Sequence, residues 1–239
     1  MIRLLVLSDN FEVLMSFRQL KVVCKYNIDY AYSSNNNEFK AKFKRDDWIR
    51  GINIKTDSSI LVEKYDLIIS LHFRQILPRK LIKAVRCVNV HPGFNPYNRG
   101  WYPHVFSIIN GFPCGVTIHE MDTEIDNGPI IVQRKVEVEK WDTAADVYKK
   151  IMKQEIILLE EYFERIVHNQ YSTIFPSKGN LNYKRDFKEL CHLNLNDYDT
   201  LGNHLRTLRA LSHEGYWNAF CILNGRKVYV KIELRIEDY

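Results

Sequence analysis

A chain of 239 residues, 46% hydrophobic and 26% charged, is long enough to bury a real core and leaves no compositional room for extensive disorder. Thirty-four Lys and Arg against 29 Asp and Glu give a net charge of +5, a bias that favours an anionic ligand but falls short of a nucleic-acid footprint. Five cysteines (Cys24, Cys87, Cys114, Cys191, Cys221), odd in number, widely spaced and without a CxxC pair, speak against a disulfide framework or a zinc cluster and for a reducing compartment.

Residues 4–7 (LLVL) are a short apolar run closed by Ser8, Asp9 and Asn10. The run suits a buried strand and is too short for a signal-peptide core or a membrane span, so a cytoplasmic protein without membrane contact is expected. Helix-spaced apolar positions follow over 11–23, and 28–32 reads as a second strand. Residues 33–59, with Asn35, Asn36 and Asn37 and many charges, read as loop around a short or irregular element. Residues 66–71 (DLIISL) predict a buried strand, 78–86 a short helix opened by Pro78, and 87–90 a strand running into His91, Pro92 and Gly93.

Next come a helix near 101–110, a strand at 116–121, and a strand at 130–138 whose alternation exposes one face. The longest periodic segment, 143–168, carries an apolar stripe from Ala144 to Ile166, with Asp142 or Thr143 as its N-cap. A polar connection over 172–185 leads to a helix at 201–211 and a hairpin, 219–223 and 228–234, turned by Asn224 and Gly225. Strands alternating with helices predict an α/β fold with a mostly parallel, Rossmann-like sheet, plus a small C-terminal helix and β-hairpin. We divide the chain into a main domain, 1–190, and a C-terminal element, 191–239. The first glycine is Gly51, so no GxGxxG follows the first strand, and no GxxxxGK[ST] occurs anywhere, which argues against dinucleotide or nucleoside triphosphate binding of the usual kind.

Asn89 and His91 stand two residues apart on one strand and so share a face, at the carboxyl end where open α/β sheets place ligands. Residues 92–100 then hold two prolines and two glycines, a stiff loop suited to a preorganised site. A second acidic loop, Asp122 to Asp126, could meet the first. On residue types alone, these groups read equally well as satisfied polar residues closing a strand.

The pattern NxHPGxxPxxRG over residues 89–100, followed 37 positions after Asn89 by the aspartate of IDNGPI, resembles the Asn, His and Asp of the 10-formyltetrahydrofolate-dependent formyltransferases. The segments SLHFRQILP (70–78), NPYNRGWYPHVFSIINGFPCGVTIHEMD (95–122) and LRALSHEGYWNAF (208–220) are similar to the sugar N-formyltransferases that act on dTDP-4-amino-4,6-dideoxyglucose. This resemblance, which covers nearly the whole chain and is weakest over 33–59, implies catalytic roles for Asn89, His91 and Asp126. It implies a site for N10-formyltetrahydrofolate beneath residues 71–77, with Leu71, Gln75, Ile76, Leu77 and Asp122 around it. It further implies a dTDP-linked amino sugar against Arg99, Trp101 and Tyr102, its nucleotide near Arg209, His213 and Tyr216, and a pathway that builds cell-surface polysaccharide such as lipopolysaccharide O-antigen.

In such a reaction the sugar amine attacks the formyl carbon, so a donor must stabilise an oxyanion and a base must remove a proton. Asn89 offers the amide and His91 a group that titrates near neutrality. Asp126 either orients the imidazole or relays the proton. No metal is required, and His91, His104 and His119 lack ligand spacing such as HExxH. Methionyl-tRNA or a UDP-linked amino sugar are the alternative acceptors. Against tRNA stands a neutral tail, with six Lys and Arg and six Asp and Glu from Cys191 onward. A binding protein that lost its chemistry is the non-enzymatic alternative, and the retention of all three residues counts against it. The hairpin bears Phe220, Ile222, Val228, Val230 and Ile232, and a two-stranded ribbon needs a partner surface, so a homodimer is expected.

Overall fold

In a computed structural model that describes residues 2–237, the amino-terminal apolar run is a strand, β1 (Leu4–Ser8), buried at all five positions. Met1, Asp238 and Tyr239, the outer ends of the two expected domains, lie outside the described residues. Asn10 accepts a hydrogen bond from Val13 N and caps α1 (Phe11–Arg18), which stops five residues short of the helix expected from spacing; turns over 19–22 lead into a 3-10 turn, Val23–Lys25. β2 (Ile28–Ser33) follows. The segment expected to be loop instead holds α2 (Asn37–Lys42), β3 (Ile49–Ile52) and α3 (Ile54–Lys64). Then come β4 (Leu67–Leu71), α4 (Arg79–Ala84) and β5 (Arg86–His91).

Beyond the site loop lie β6 (Arg99–Gly100), α5 (Pro103–Asn110), β7 (Cys114–Glu120), β8 (Ile130–Val136) and α6 (Ala144–Val167). Thr143 starts α6 with a capping box, its N–H donating to the Asp146 carboxylate at 2.9 Å. The polar connection contains β9 (Leu181–Asn182) and the start of α7 (Lys184–Leu190). After α8 (Leu201–Leu211) come two short strands not foreseen, β10 (Ser212–His213) and β11 (Tyr216–Trp217), and then β12 (Phe220–Leu223) and β13 (Arg226–Tyr229). The final hairpin is turned by Asn224 at φ 48° and Gly225 at φ 73°, the two left-handed residues that an Asn-Gly hairpin turn requires; its second strand ends at Tyr229 rather than 234.

Seven strands form one sheet in the order β3-β2-β1-β4-β5-β7-β8. β1 pairs in parallel with both β2 and β4, β2 with β3 and β4 with β5, while β5 and β7 run antiparallel. The order reverses between β1 and β4, so the crevice beyond their carboxyl ends is the natural ligand position. The chain forms two compact units, one comprising residues up to His91, Thr117–Arg134 and Gln154–Pro176, the other Pro92–Val116, Lys135–Lys153 and everything from Ser177 on. In the first, Leu5, Leu7, Ile54, Leu61, Ile68, Leu77 and Leu81 pack into one buried cluster. Each such side chain contributes about 1.5–3 kcal/mol by leaving water.

Candidate active site

β5 delivers Asn89 and His91 to the carboxyl edge of the sheet, and the antiparallel register of β5 and β7 sets His119 opposite Asn89 and Thr117 opposite His91. His91 and His119 are 3% and 1% exposed, so their hydrogen bonds are made in a setting where water competes poorly. The loop after β7 brings Asp126 to both strands. Asn89 Nδ2 donates to Asp126 Oδ1 at 2.9 Å, and the other carboxylate oxygen lies 3.5 Å from His91 Nδ1.

His119 decides which way the Asn89 amide points. Its Nδ1 is 2.7 Å from the Glu120 carbonyl, which only accepts, so Nδ1 carries the proton and Nε2 presents a lone pair. Asn89 Nδ2 sits 3.3 Å from that Nε2. With an imidazole lone pair on one side and a carboxylate on the other, only the NH2 end of Asn89 fits between them. Sequence reasoning considered His119 only as a possible metal ligand. Both faces of β7 are buried, so strand alternation gives no sign of its role.

Two backbone features hold Asp126 in place. Its own φ is 47°, in the left-handed region that aspartate tolerates better than most residues, and Gly128 two positions on runs so close to β7 that a Cβ there would lie 1.8 Å from the Glu120 carbonyl oxygen. Pro129 O then accepts Glu120 N at 2.9 Å, closing the loop onto the strand.

The expected folate residues lie in the same unit. Leu71 and Leu77 are buried, at 0% and 3%, and Ile76 between them stands 75% exposed. The Gln75 amide is engaged with backbone, Nε2 donating to Ile52 O at 3.1 Å and Oε1 accepting from Ile54 N at 3.0 Å. What residues 75–77 offer a ligand is therefore their backbone and the Ile76 side chain. The Asp122 carboxylate accepts Glu124 N at 2.8 Å and shapes the start of the Asp126 loop.

The expected acceptor residues gather in the second unit. Asn98, fully buried at φ 52°, donates to Ser107 Oγ at 3.1 Å and accepts from Asn110 Nδ2 at 2.7 Å and Asn180 Nδ2 at 2.9 Å, fixing the loop that carries Arg99. Trp101, 39% exposed, neighbours Tyr102 at 5.8 Å between ring centres, and Tyr102 stacks on Phe187 at 3.9 Å. Through His104 and Tyr148 the rings continue to His213 and then Tyr216, the last contact at 5.4 Å. His104 was considered in the sequence only as a possible metal ligand, and Tyr148 and Phe187 were not singled out there. Arg209 Nη1 donates to the carbonyls of Glu139 and Asp142, at 2.8 and 2.7 Å, and partial burial lowers its pKa from the ordinary arginine value. Among the described residues no group of three or more His, Cys, Asp or Glu side chains could hold a metal ion, and no helix is long and apolar enough to cross a membrane.

Comparison with known proteins bears on this geometry directly. Residues 31–162 match the model of the formyl transferase family, and residues 186–236 match that of the N-formyltransferase dimerization C-terminal domain. A dTDP-4-amino-4,6-dideoxyglucose formyltransferase from Mycobacterium tuberculosis is 50% identical over 179 residues, 74% of this chain and 76% of its own length. The crystal structure of a 4-N formyltransferase from Francisella tularensis covers 99% of both chains with a TM-score of 0.94 and 39% identity. A formyltransferase from Anoxybacillus kamchatkensis, in complex with UDP-4,6-dideoxy-4-formamido-L-AltNAc and tetrahydrofolate, is 25% identical with a TM-score of 0.62, over 78% of this chain and 88% of its own. With Asn89 and His91 on one strand meeting Asp126 on the loop after its neighbour, and with these matches in sequence and fold, the chain belongs to the formyl transferase family and is a formyl-transferring enzyme.

Proposed function

We propose that the protein transfers the formyl group of N10-formyltetrahydrofolate to the amino group of a dTDP-linked amino-dideoxy sugar, dTDP-4-amino-4,6-dideoxyglucose, in the cytoplasm and as a homodimer. The product serves cell-surface polysaccharide such as lipopolysaccharide O-antigen. Residues 1–190 form the catalytic domain and 191–239 the dimerisation element. The observation that carries the reading is the cluster of Asn89, His91 and Asp126 at the carboxyl edge of the sheet in a chain that is 50% identical, over 74% of its length, to a dTDP-4-amino-4,6-dideoxyglucose formyltransferase.

The chemistry follows from the groups. Asn89 points its NH2 toward the reacting centre's neighbours, and of its two bonds the longer, 3.3 Å to His119, is the one an oxyanion replaces. His91 faces Asp126 through Nδ1, so its other nitrogen is the one that takes the proton of the attacking amine and returns it to N10 as the bond from the formyl carbon to N10 breaks and tetrahydrofolate leaves. Asp126 orients the imidazole and stabilises it once charged, the 3.5 Å separation closing when substrate is bound. Residues 71–77, beside the point where strand order reverses, offer a backbone edge and the exposed Ile76 to the flat pterin ring. Trp101 and Tyr102 wall the sugar, and His213, Tyr216 and Arg209 serve the nucleotide, with aromatic faces for the base and cations for the pyrophosphate.

A UDP-linked acceptor is the second reading, because a solved relative at 25% identity is complexed with a UDP-linked formamido sugar. A competition assay across dTDP-linked and UDP-linked 3-amino and 4-amino sugars separates the two. Preference for the dTDP-linked 4-amino sugar supports the assignment, and preference for a UDP-linked sugar replaces it.

A further inference from the structure

Between β4 and α4, residues 72–77 are held at four successive positions, and two of the anchors are buried carboxylates outside the reacting cluster. Asp9, 3% exposed at the end of β1, accepts the backbone N of Arg74 at 2.9 Å, the backbone N of Ser33 at 3.0 Å, Asn36 Nδ2 at 3.0 Å and the Ser33 hydroxyl. Four donors fill the acceptor positions of one carboxylate. They come from the end of β2, the start of α2 and the segment after β4, so Asp9, at the end of β1, ties together the chain beyond three neighbouring strands. Glu155, fully buried on α6, takes His72 Nε2 on both oxygens, at 2.9 and 2.8 Å, and His72 itself sits at φ 58°. Phe73 packs against the main apolar cluster, and the Gln75 amide is fixed to Ile52 and Ile54.

A buried charge is an expensive way to fill space, since well-packed apolar residues of similar volume stabilise a core equally well or better. What a saturated carboxylate adds is a single allowed arrangement of everything bonded to it. Here that arrangement is the backbone of residues 72–77. We infer that Asp9 and Glu155 are positioning residues for the folate. Acting through Arg74 N and the His72 ring, they set the backbone edge of residues 75–77 before the ligand arrives, so that little ordering cost falls on binding. The inference rests on the reading that folate binds at this loop.

Near-isosteric variants test it. Asp9→Asn presents an NH2 on one side or the other to a backbone N–H, of Arg74 or of Ser33, that can only donate, and Glu155→Gln weakens the His72 clamp. For each, KM is measured for N10-formyltetrahydrofolate and for the amino-sugar nucleotide separately, with calorimetric Kd for tetrahydrofolate and amide exchange at Arg74. The expected result is a rise of about tenfold in the folate KM and the tetrahydrofolate Kd, the size of one unsatisfied buried donor. The sugar KM stays within about twofold and exchange at Arg74 quickens. A folate Kd that stays put while exchange quickens overturns the inference, as does an equal rise in both KM values. Should Asp9→Asn fail to fold, Glu155→Gln decides by the same split. Ile76→Trp, which crowds the proposed pterin edge, distinguishes the two levels. Loss of tetrahydrofolate binding there with native binding in Asp9→Asn and Glu155→Gln refutes the positioning role alone. Native binding in Ile76→Trp removes the folate from this loop and the inference with it.

Discussion

Gly128→Ala should disable the enzyme without touching any reacting side chain. The added Cβ would stand 1.8 Å from the Glu120 carbonyl oxygen and 2.9 Å from its carbon, both backbone atoms of β7 that have no rotamer to give. Opening the first contact even to 3.0 Å moves the loop by about 1.2 Å. Asp126 lies two residues away, and its bond to Asn89 at 2.9 Å and approach to His91 at 3.5 Å do not survive a displacement of that size. Misplacement of a catalytic group on the order of 1 Å lowers turnover by about 100-fold. Steady-state kcat at saturating levels of both substrates reads this. Melting followed by circular dichroism should drop by about 5–10 °C, the counterpart of about 2–3 kcal/mol in a chain of this size. A Gly128→Ala enzyme with kcat within about threefold of wild type and an unchanged Tm would refute the view that this close approach positions Asp126.

Thiol titration of the native protein at pH 8 should find Cys24 reactive and Cys87 and Cys114 inert, because burial pushes the latter two up to about 12 and about 11 while Cys24 is exposed. Equal rates at Cys24 and Cys87 would contradict that burial. Arg209→Ala should raise KM for the sugar nucleotide more than for the folate, and lower Tm through the lost bonds to the Glu139 and Asp142 carbonyls; a lower Tm with both KM values unmoved would leave Arg209 a purely structural tie. Sedimentation at micromolar concentration should give a dimer for wild type and a monomer for Ile222→Lys, whose native side chain is 48% exposed on β12; a monomeric wild type would remove the hairpin as the interface.

The parts of the fold that the sequence announces are those with dense apolar periodicity. β1, β4, β5 and β7 are apolar runs buried along most of their length, and α6 carries its stripe over 24 residues. Residues 33–59 hide their structure because each element there buries so little. β3 is four residues with its two middle positions, Arg50 and Gly51, exposed, and α2 buries Phe39 alone. Of the asparagines that suggested loop, Asn36 caps α2 and Asn37 begins it, and Asn53 caps α3 in the same way. In the site, Asn89, His91 and Asp126 were legible through their motif, and their contact is made by the antiparallel register of β5 and β7 together with the Gly128 approach. His119 was not legible as an orienting group, since its role arises from a cross-strand neighbour that sequence spacing does not disclose. The ties of the Gln75 side chain were equally hidden, since both ends of its amide are engaged with β3 and α3 backbone that lies more than 20 residues away in sequence.

The most direct measurement follows formyl transfer from N10-formyltetrahydrofolate to dTDP-4-amino-4,6-dideoxyglucose by mass spectrometry, for wild type and His91→Asn side by side, with melting curves for both. If the imidazole held between Asp126 and the substrate carries the proton transfer, wild type forms the formamido sugar and His91→Asn turns over at least ~100-fold more slowly with a native melting curve. Near-native turnover by His91→Asn, or no formamido sugar from wild type, would contradict the assigned chemistry.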